Sequence, residues 1–196
     1  MPLVASRGNA TARGFGLGGF LTPGGDFESI ATVTVGSGGA ASAEFTSIPS
    51  TFQHLQLRYI AKNSSTSSNL YLYLQFNGDS TSETYVNHWL RGNGASATAG
   101  AGTGQNVSLY NPSAEVPGNT TASLFGVGVI DILDYASTTK NKTVRKFSGQ
   151  DSNGSGDVII TSGLWPNTAA ISSILVKLGG QNLAQHSQVA LYGGRA

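Results

Sequence analysis

The chain contains no cysteine. That absence excludes a disulfide scaffold and a thiolate metal site, and it is compatible with synthesis in a reducing cytoplasm. Charge is the second scarcity. Only 11% of the residues are Asp, Glu, Lys or Arg, against roughly 25% in an ordinary soluble domain. The few charges nearly cancel, at a formal net charge of +1, so nothing draws the whole chain toward nucleic acid or an anionic lipid surface. No stretch approaches the ~18 consecutive apolar residues of a membrane helix, and no membrane insertion is expected. The opening Met1-Pro2-Leu3-Val4-Ala5-Ser6-Arg7 lacks both a basic segment and a long apolar one, so it does not read as a signal peptide.

Glycine, serine, threonine and asparagine stand where the charges are missing, with 27 glycines among 196 residues. A surface of hydroxyls, amides and bare backbone suits packing against neighbours over long contacts. That composition points to a structural or adhesive protein before an enzyme. The length fits one domain, and 39% hydrophobic residues are enough for its core.

Residues 1–25 differ from the rest. Seven glycines and Pro2 and Pro23 interrupt any helical or strand period, and the segment reads as an irregular arm. Its apolar residues, Phe15, Leu17, Phe20 and Leu21, cannot form a core alone. Two readings follow: a disordered tail, or an anchor that orders on a neighbouring subunit with Phe15 and Phe20 as plugs. Ordering the backbone costs about 1–2 kcal/mol per residue, and burying each Phe or Leu returns ~1.5–3 kcal/mol. The arm is therefore expected to order only within an assembly.

From residue 26 to 196 the hydrophobic period is two, the mark of strands. Ile30 to Phe45, turning at Gly36-Ser37-Gly38-Gly39, reads as a hairpin. Strands follow at His54 to Lys62 and at Asn69 to Asn77, where Leu70, Leu72, Leu74 and Phe76 oppose Tyr71, Tyr73 and Gln75. Tyr85 to Arg91 is another strand. Asn93-Gly94 opens a low-complexity loop through Gly100, Gly102 and Gly104, of the kind that is mobile or binds. Further strands are expected at Val107 to Tyr110, Ser123 to Leu133, Lys142 to Gln150, Val158 to Trp165, Ile174 to Leu178 and Val189 to Tyr192. A turn near Asp134 to Thr139 is the one helical candidate. Many short strands joined by Gly and Asn turns predict an all-β fold: an antiparallel β-sandwich of jelly-roll type behind a Gly-rich N-terminal arm.

Catalytic signatures are scarce. No carboxylate pair sits in a glycosidase context, and Asp131 and Asp134 read as turn-capping residues. His54, His88 and His186 lack zinc-site spacing, no nucleophile elbow is present, and Arg13 to Gly19 mimics a dinucleotide fingerprint without the flanking strand and helix. Lys140, Lys142, Arg145 and Lys146 read as a solvated basic loop and not as a nucleic-acid footprint. No catalytic residue, metal or cofactor is expected. The sharper surface feature is aromatic: Tyr71 and Tyr73, extended by Tyr85 and Trp89, form either a recognition face or a face buried against another sheet or subunit.

Three segments, Ser47 to Arg58, Gln75 to Asp79 and Ile130 to Thr143, together with the ending Ala190-Leu191-Tyr192-Gly193, resemble a family of small virion structural proteins of tailed bacteriophages, including phages of cyanobacteria and marine bacteria. The resemblance spans residues 27 to 196. Ala12-Arg13-Gly14-Phe15-Gly16 is similar to a short motif near the N-terminus of phage tail appendage proteins, where it docks the subunit to the tail. The resemblance implies a non-enzymatic particle component, assembled in the host bacterial cytoplasm and located in the virion. Its partners would be itself, as a homotrimer, and other virion proteins, with Arg13, Phe15, Leu17 and Phe20 as anchor residues. A tail fibre or baseplate and tail-adaptor subunit is the first expectation and a capsid decoration protein the second. The third is a carbohydrate-binding adhesion module, in which Tyr71, Tyr73 and Trp89 would stack on host surface glycans. A hydrolytic tailspike would need paired carboxylates in a groove and a far longer chain.

Overall fold

The computed structural model describes residues 27–66, 70–81, 85–104, 107–108, 115–118, 123–152 and 154–195. The anchor residues Arg13, Phe15, Leu17 and Phe20, with the whole 1–25 arm, lie outside the described residues, as do Leu109, Tyr110 and Pro112. Among the described residues there are twelve strands and no helix. In chain order they are β1 (Phe27–Thr34), β2 (Ser42–Phe45), β3 (His54–Ala61), β4 (Leu72–Phe76), β5 (Tyr85–Gly92) and β6 (Ala97–Gly104). Then come β7 (Val107–Ser108), β8 (Gly126–Leu133), β9 (Lys142–Asp151), β10 (Gly156–Trp165), β11 (Ile174–Leu178) and β12 (Gln188–Gly194).

These strands make an eight-stranded sheet, ordered β1-β12-β3-β8-β9-β10-β5-β6, and a four-stranded sheet, ordered β2-β11-β4-β7. Four antiparallel pairs nest along the chain: β1 with β12, β2 with β11, β3 with β8, and β4 with β7. Successive pairs fall in alternate sheets, the result of wrapping one long hairpin around a barrel, which is a jelly roll. Two inserted hairpins, β5–β6 and β9–β10, widen the larger sheet alone.

Period-two patterning fixes the core. Leu72, Leu74 and Phe76 of β4 are fully buried against Leu55 and Leu57 of β3, Ile130 and Ile132 of β8, and Val189 and Leu191 of β12. At one corner Tyr85 stacks on Trp165 and Phe76 tilts against it, with ring centroids 6.2 Å and 5.6 Å from Trp165. The Trp165 indole donates to the Asp79 carboxylate at 2.8 Å, and the Tyr85 hydroxyl donates to the Asp79 carbonyl at 3.1 Å.

Four sequence expectations need correction. The Gly36–Gly39 turn exists, but it does not close a hairpin: β1 pairs with β12 and β2 with β11, in different sheets. The chain changes sheets between Thr34, paired with Gln188, and Ser42, paired with Lys177. The expected loop through Gly100 and Gly102 is strand β6, paired along its length with β5. Gly100 has a packing cause, because a Cβ there would stand 2.5 Å from the Trp89 ring. The segment from Asp134 to Thr139 is a tight turn without helix; Asp134 takes a φ of 49° and its carbonyl accepts from Ser137 N at 2.9 Å. Finally, the basic cluster is not a solvated loop. Lys142 and Lys146 are buried, while Lys140 is exposed and pairs with Asp134 at 2.7 Å.

Lys142 acts as an internal clasp. Its ammonium donates to the carbonyls of Ser137 and Lys140, each at 2.7 Å, and of Thr168 at 3.1 Å. It thus ties the β8–β9 turn to the loop after β10. Lys142→Met strands these acceptors and is expected to destabilise the fold by about 1–3 kcal/mol, whereas Lys140→Met, at an exposed pair, should change it by about 0–1 kcal/mol. Urea unfolding of both variants measures the contrast. Asp79 supplies a pH signature. The Trp165 hydrogen bond, followed by that of the Thr81 backbone, holds its carboxyl below the usual 3.8. The unfolded chain therefore takes up this proton first, so the stabilisation is present above about pH 4 and fades as pH falls further. Asp79→Asn should flatten the urea midpoint against pH in that acid range.

Candidate assembly face

Strands β3, β8, β9, β10 and β5 turn alternate residues away from the core; toward the His54 end these are polar, with Gln56, Asp131, Arg145, Ser162 and His88 in register, and toward the Ala61 end they are unexpectedly apolar. Ile60, Val127, Val129, Phe147, Val158, Ile160 and Leu90 are all exposed, from 37% at Val129 to 58% at Phe147. Strand register makes them one surface. Ile60 stands opposite Val127, Val129 opposite Phe147, Phe147 opposite Ile160, and Ile160 opposite Leu90. Scattered exposed apolar residues are ordinary, but a contiguous row across five strands is a candidate contact site.

The row has a notch. Val127, Gly149 and Val158 are in register on three adjacent strands, so the middle position carries no side chain. Only glycine fits there, since a Cβ would approach the Asp157 carbonyl oxygen to 2.6 Å. A concavity of about 950 Å³ opens at this place, walled by Val127, Val129, Phe147 and Val158. At the β1 side the face becomes cationic and aromatic. The Arg58 guanidinium lies 4.6 Å from the Tyr192 ring centroid and 5.4 Å from that of Phe27, and its Nε donates to Gln56 at 2.7 Å.

The inward face of the same sheet is divided. Toward the His54 end it is apolar, as described. Toward the Ala61 end and across β9, β10 and β5 it carries Tyr59, Lys146, Ser148, Thr161, Asn87 and Asp157, all buried. Residues 115–118 strap this end. Val116 bridges to Leu70, and Asn63 holds the Val116 and Pro117 carbonyls at 2.9 Å each. Glu115 forms an ion pair with Lys146 and accepts from Leu72 N at 3.1 Å. Burial pushes the Lys146 ammonium below the usual lysine value, opposed by the Glu115 charge. Burial, reinforced by Glu115, raises the Tyr59 phenol well above its ordinary value. The Tyr59 hydroxyl, Ser148 Oγ and the second Glu115 oxygen have no hydrogen-bond partner among the described residues.

The aromatic residues singled out in the sequence do not share a surface. Tyr71 and Tyr73 are half-buried and form a T-shaped pair at 4.8 Å. Tyr73 stands on the outer side of the four-stranded sheet, with its hydroxyl 2.9 Å from where a Gly179 Cβ would sit. Tyr85 and Trp89 instead point inward from β5, and Tyr85 is 1% exposed in the core, so it is not part of a solvent-facing patch. The apolar outer face was missed in the sequence. Its signal was the unbroken run Val158-Ile159-Ile160, which requires both faces of β10 to be apolar at once.

Asp131 accepts from Gln56 Nε2 at 2.8 Å, and Asp134 N donates to His54 Nδ1 at 3.0 Å. Among the described residues no group of three or more His, Asp or Glu could hold a metal ion. Removing one partner of the buried pair should be severe: Glu115→Ala is expected to cost about 3–5 kcal/mol, and the paired change Glu115→Leu with Lys146→Met much less. Chemical denaturation of the three proteins tests this. No family model, curated protein or solved structure matches the chain.

Proposed function

We propose that this chain is a non-enzymatic structural subunit of a tailed-bacteriophage virion, placed in the tail as a fibre or baseplate and tail-adaptor subunit and joined to identical copies. One observation carries the reading: a contiguous apolar row lies open on the outer face of the larger sheet, and exposed apolar patches of this kind mark sites of contact with another surface. The phage assignment draws on the resemblance of segments 47–58, 75–79 and 130–143 to virion proteins. The disposition of the carboxylates supports a role without catalysis. Asp79, Asp131, Asp134, Asp157, Glu28 and Glu115 are each engaged with Trp165, Gln56, Lys140, Arg91, Arg195 and Lys146.

The two other structural readings separate by counting. Tens of copies or fewer in a purified particle fit the tail, and hundreds fit capsid decoration. Glycan adhesion would rest on the Tyr71–Tyr73 pair, and a glycan array reports it directly. For assembly itself, the purified chain is expected to form a trimer in sedimentation velocity. Phe147→Asp with Ile160→Asp should yield a folded monomer, because both side chains are more than half exposed and contribute little to the core. A trimer that survives both substitutions would remove the apolar face from the interface.

A further inference from the structure

The apolar row has a fitting occupant within the same sequence. We infer that residues 13–21 of one copy lie across the outer face of the eight-stranded sheet of a neighbouring copy, with an aromatic ring of the segment seated at the Gly149 notch. The inference rests on the assembly reading above, because it needs identical copies side by side.

Shape comes first. The notch is permanent, since Gly149 admits no side chain, and its walls are the apolar residues Val127, Phe147 and Val158. The concavity, about 950 Å³, is a broad groove open to solvent whose lining also includes Arg58 and Asp151. What fits is an apolar ring on a slender backbone. Arg13-Gly14-Phe15-Gly16-Leu17-Gly18-Gly19-Phe20-Leu21 has that form, with bare glycines between large apolar side chains. Glycine lets the backbone lie close to a flat sheet, and the Phe and Leu side chains supply the contact.

The place where this segment joins the fold also agrees. Twenty-six residues precede Phe27, and Phe27 belongs to the same outer face, with its ring beside Arg58. Phe27 is level with Gly194 and His54, at the end of the sheet opposite Ile60 and Val127. Continued backward, the line of β1 runs off that end and away from its own notch. Phe20, seven residues ahead, reaches roughly 23 Å along this line, and Phe15 roughly 40 Å. Either distance crosses several ~4.8 Å strand spacings of a subunit packed alongside.

The absence of cysteine makes the test clean. Leu21→Cys is placed in one full-length chain and Val158→Cys in a second chain of different tag mass, so that both phenylalanines are retained. After mixing and mild oxidation, a disulfide-linked heterodimer is expected at least tenfold above the control pair of Leu21→Cys with Glu44→Cys on the opposite sheet. In a chain carrying both Leu21→Cys and Val158→Cys, linked multimers should dominate. A linkage confined within single chains, or a heterodimer no stronger than the control, would overturn the inference. As a second readout, Phe15→Ala with Phe20→Ala in the full chain should weaken self-association at least tenfold while leaving the circular dichroism spectrum unchanged; unaltered association would also overturn it. If the chain self-associates without the cross-link, the arm contact fails and the structural-subunit reading stands. If it is monomeric at every concentration, both fail.

Discussion

A sheet of eight strands cannot be covered by a sheet of four. At ~4.8 Å per strand the larger layer is roughly 38 Å wide and the smaller roughly 19 Å. The inserted hairpins β5–β6 and β9–β10 create this mismatch, because both join the same sheet. Everything unusual about the molecule follows from the surplus area. On the inner side it is closed by a strap, residues 115–118, lying over a polar floor. On the outer side nothing in the described part of the chain covers it, and there a row of exposed valine, isoleucine, leucine and phenylalanine runs beside a polar row of Gln56, Asp131, Arg145, Ser162 and His88.

Glu115 shows how the inner closure is held. One carboxylate oxygen meets the ammonium of Lys146 on β9 of the larger sheet and the backbone N–H of Leu72 on β4 of the smaller one. A single side chain from a loop thereby pins both layers. Such a pair gains little over a well-packed apolar substitute, but breaking it is expensive. Its value lies in register: a carboxylate can satisfy these two donors only when β4, β9 and the strap are all in place. Lys142 does the same work at the other end with three carbonyls. Both lysines look like surface charges in the sequence because alternation alone does not say which side of a strand is inside.

That limit explains what the sequence disclosed. Strands β3, β4 and β11 were legible because one parity is apolar and the other polar, as in Leu72, Leu74 and Phe76 against Tyr73 and Gln75. The turn at Asn77-Gly78 was legible because both residues take positive φ, 52° and 69°. Strand β6 was not, since it carries only small residues, and its Gly100 is required by the Trp89 ring, a partner on another strand. Nor was the route of the chain after β1. Four glycine and serine residues specify a turn, but the sheet that receives the next strand is decided by long-range pairing with β11. The outer face was hidden for a related reason: in β9 and β10 both parities mix apolar and polar residues, and only the assembled register lines Phe147 up with Ile160 and Val129.

The scarcity of charge is sharper on the surface than the composition suggests. Lys62, Glu115, Lys142, Lys146 and Asp157 are buried, so an already small set of charged residues is partly withdrawn into the interior. Proteins that stay apart in water commonly guard exposed sheets with lysine and glutamate. Here the central strands of the wide sheet present valine, isoleucine and phenylalanine, and the guanidinium of Arg58 is occupied by the rings of Phe27 and Tyr192. Cations are thus withdrawn into the fold while one row of the wide sheet stays apolar, beside a second row of Gln56, Asp131, Arg145, Ser162 and His88. The same choice accounts for the glycine at position 149: a side chain there would fill the notch and force β10 away, and its absence keeps a groove open in the middle of the contact row.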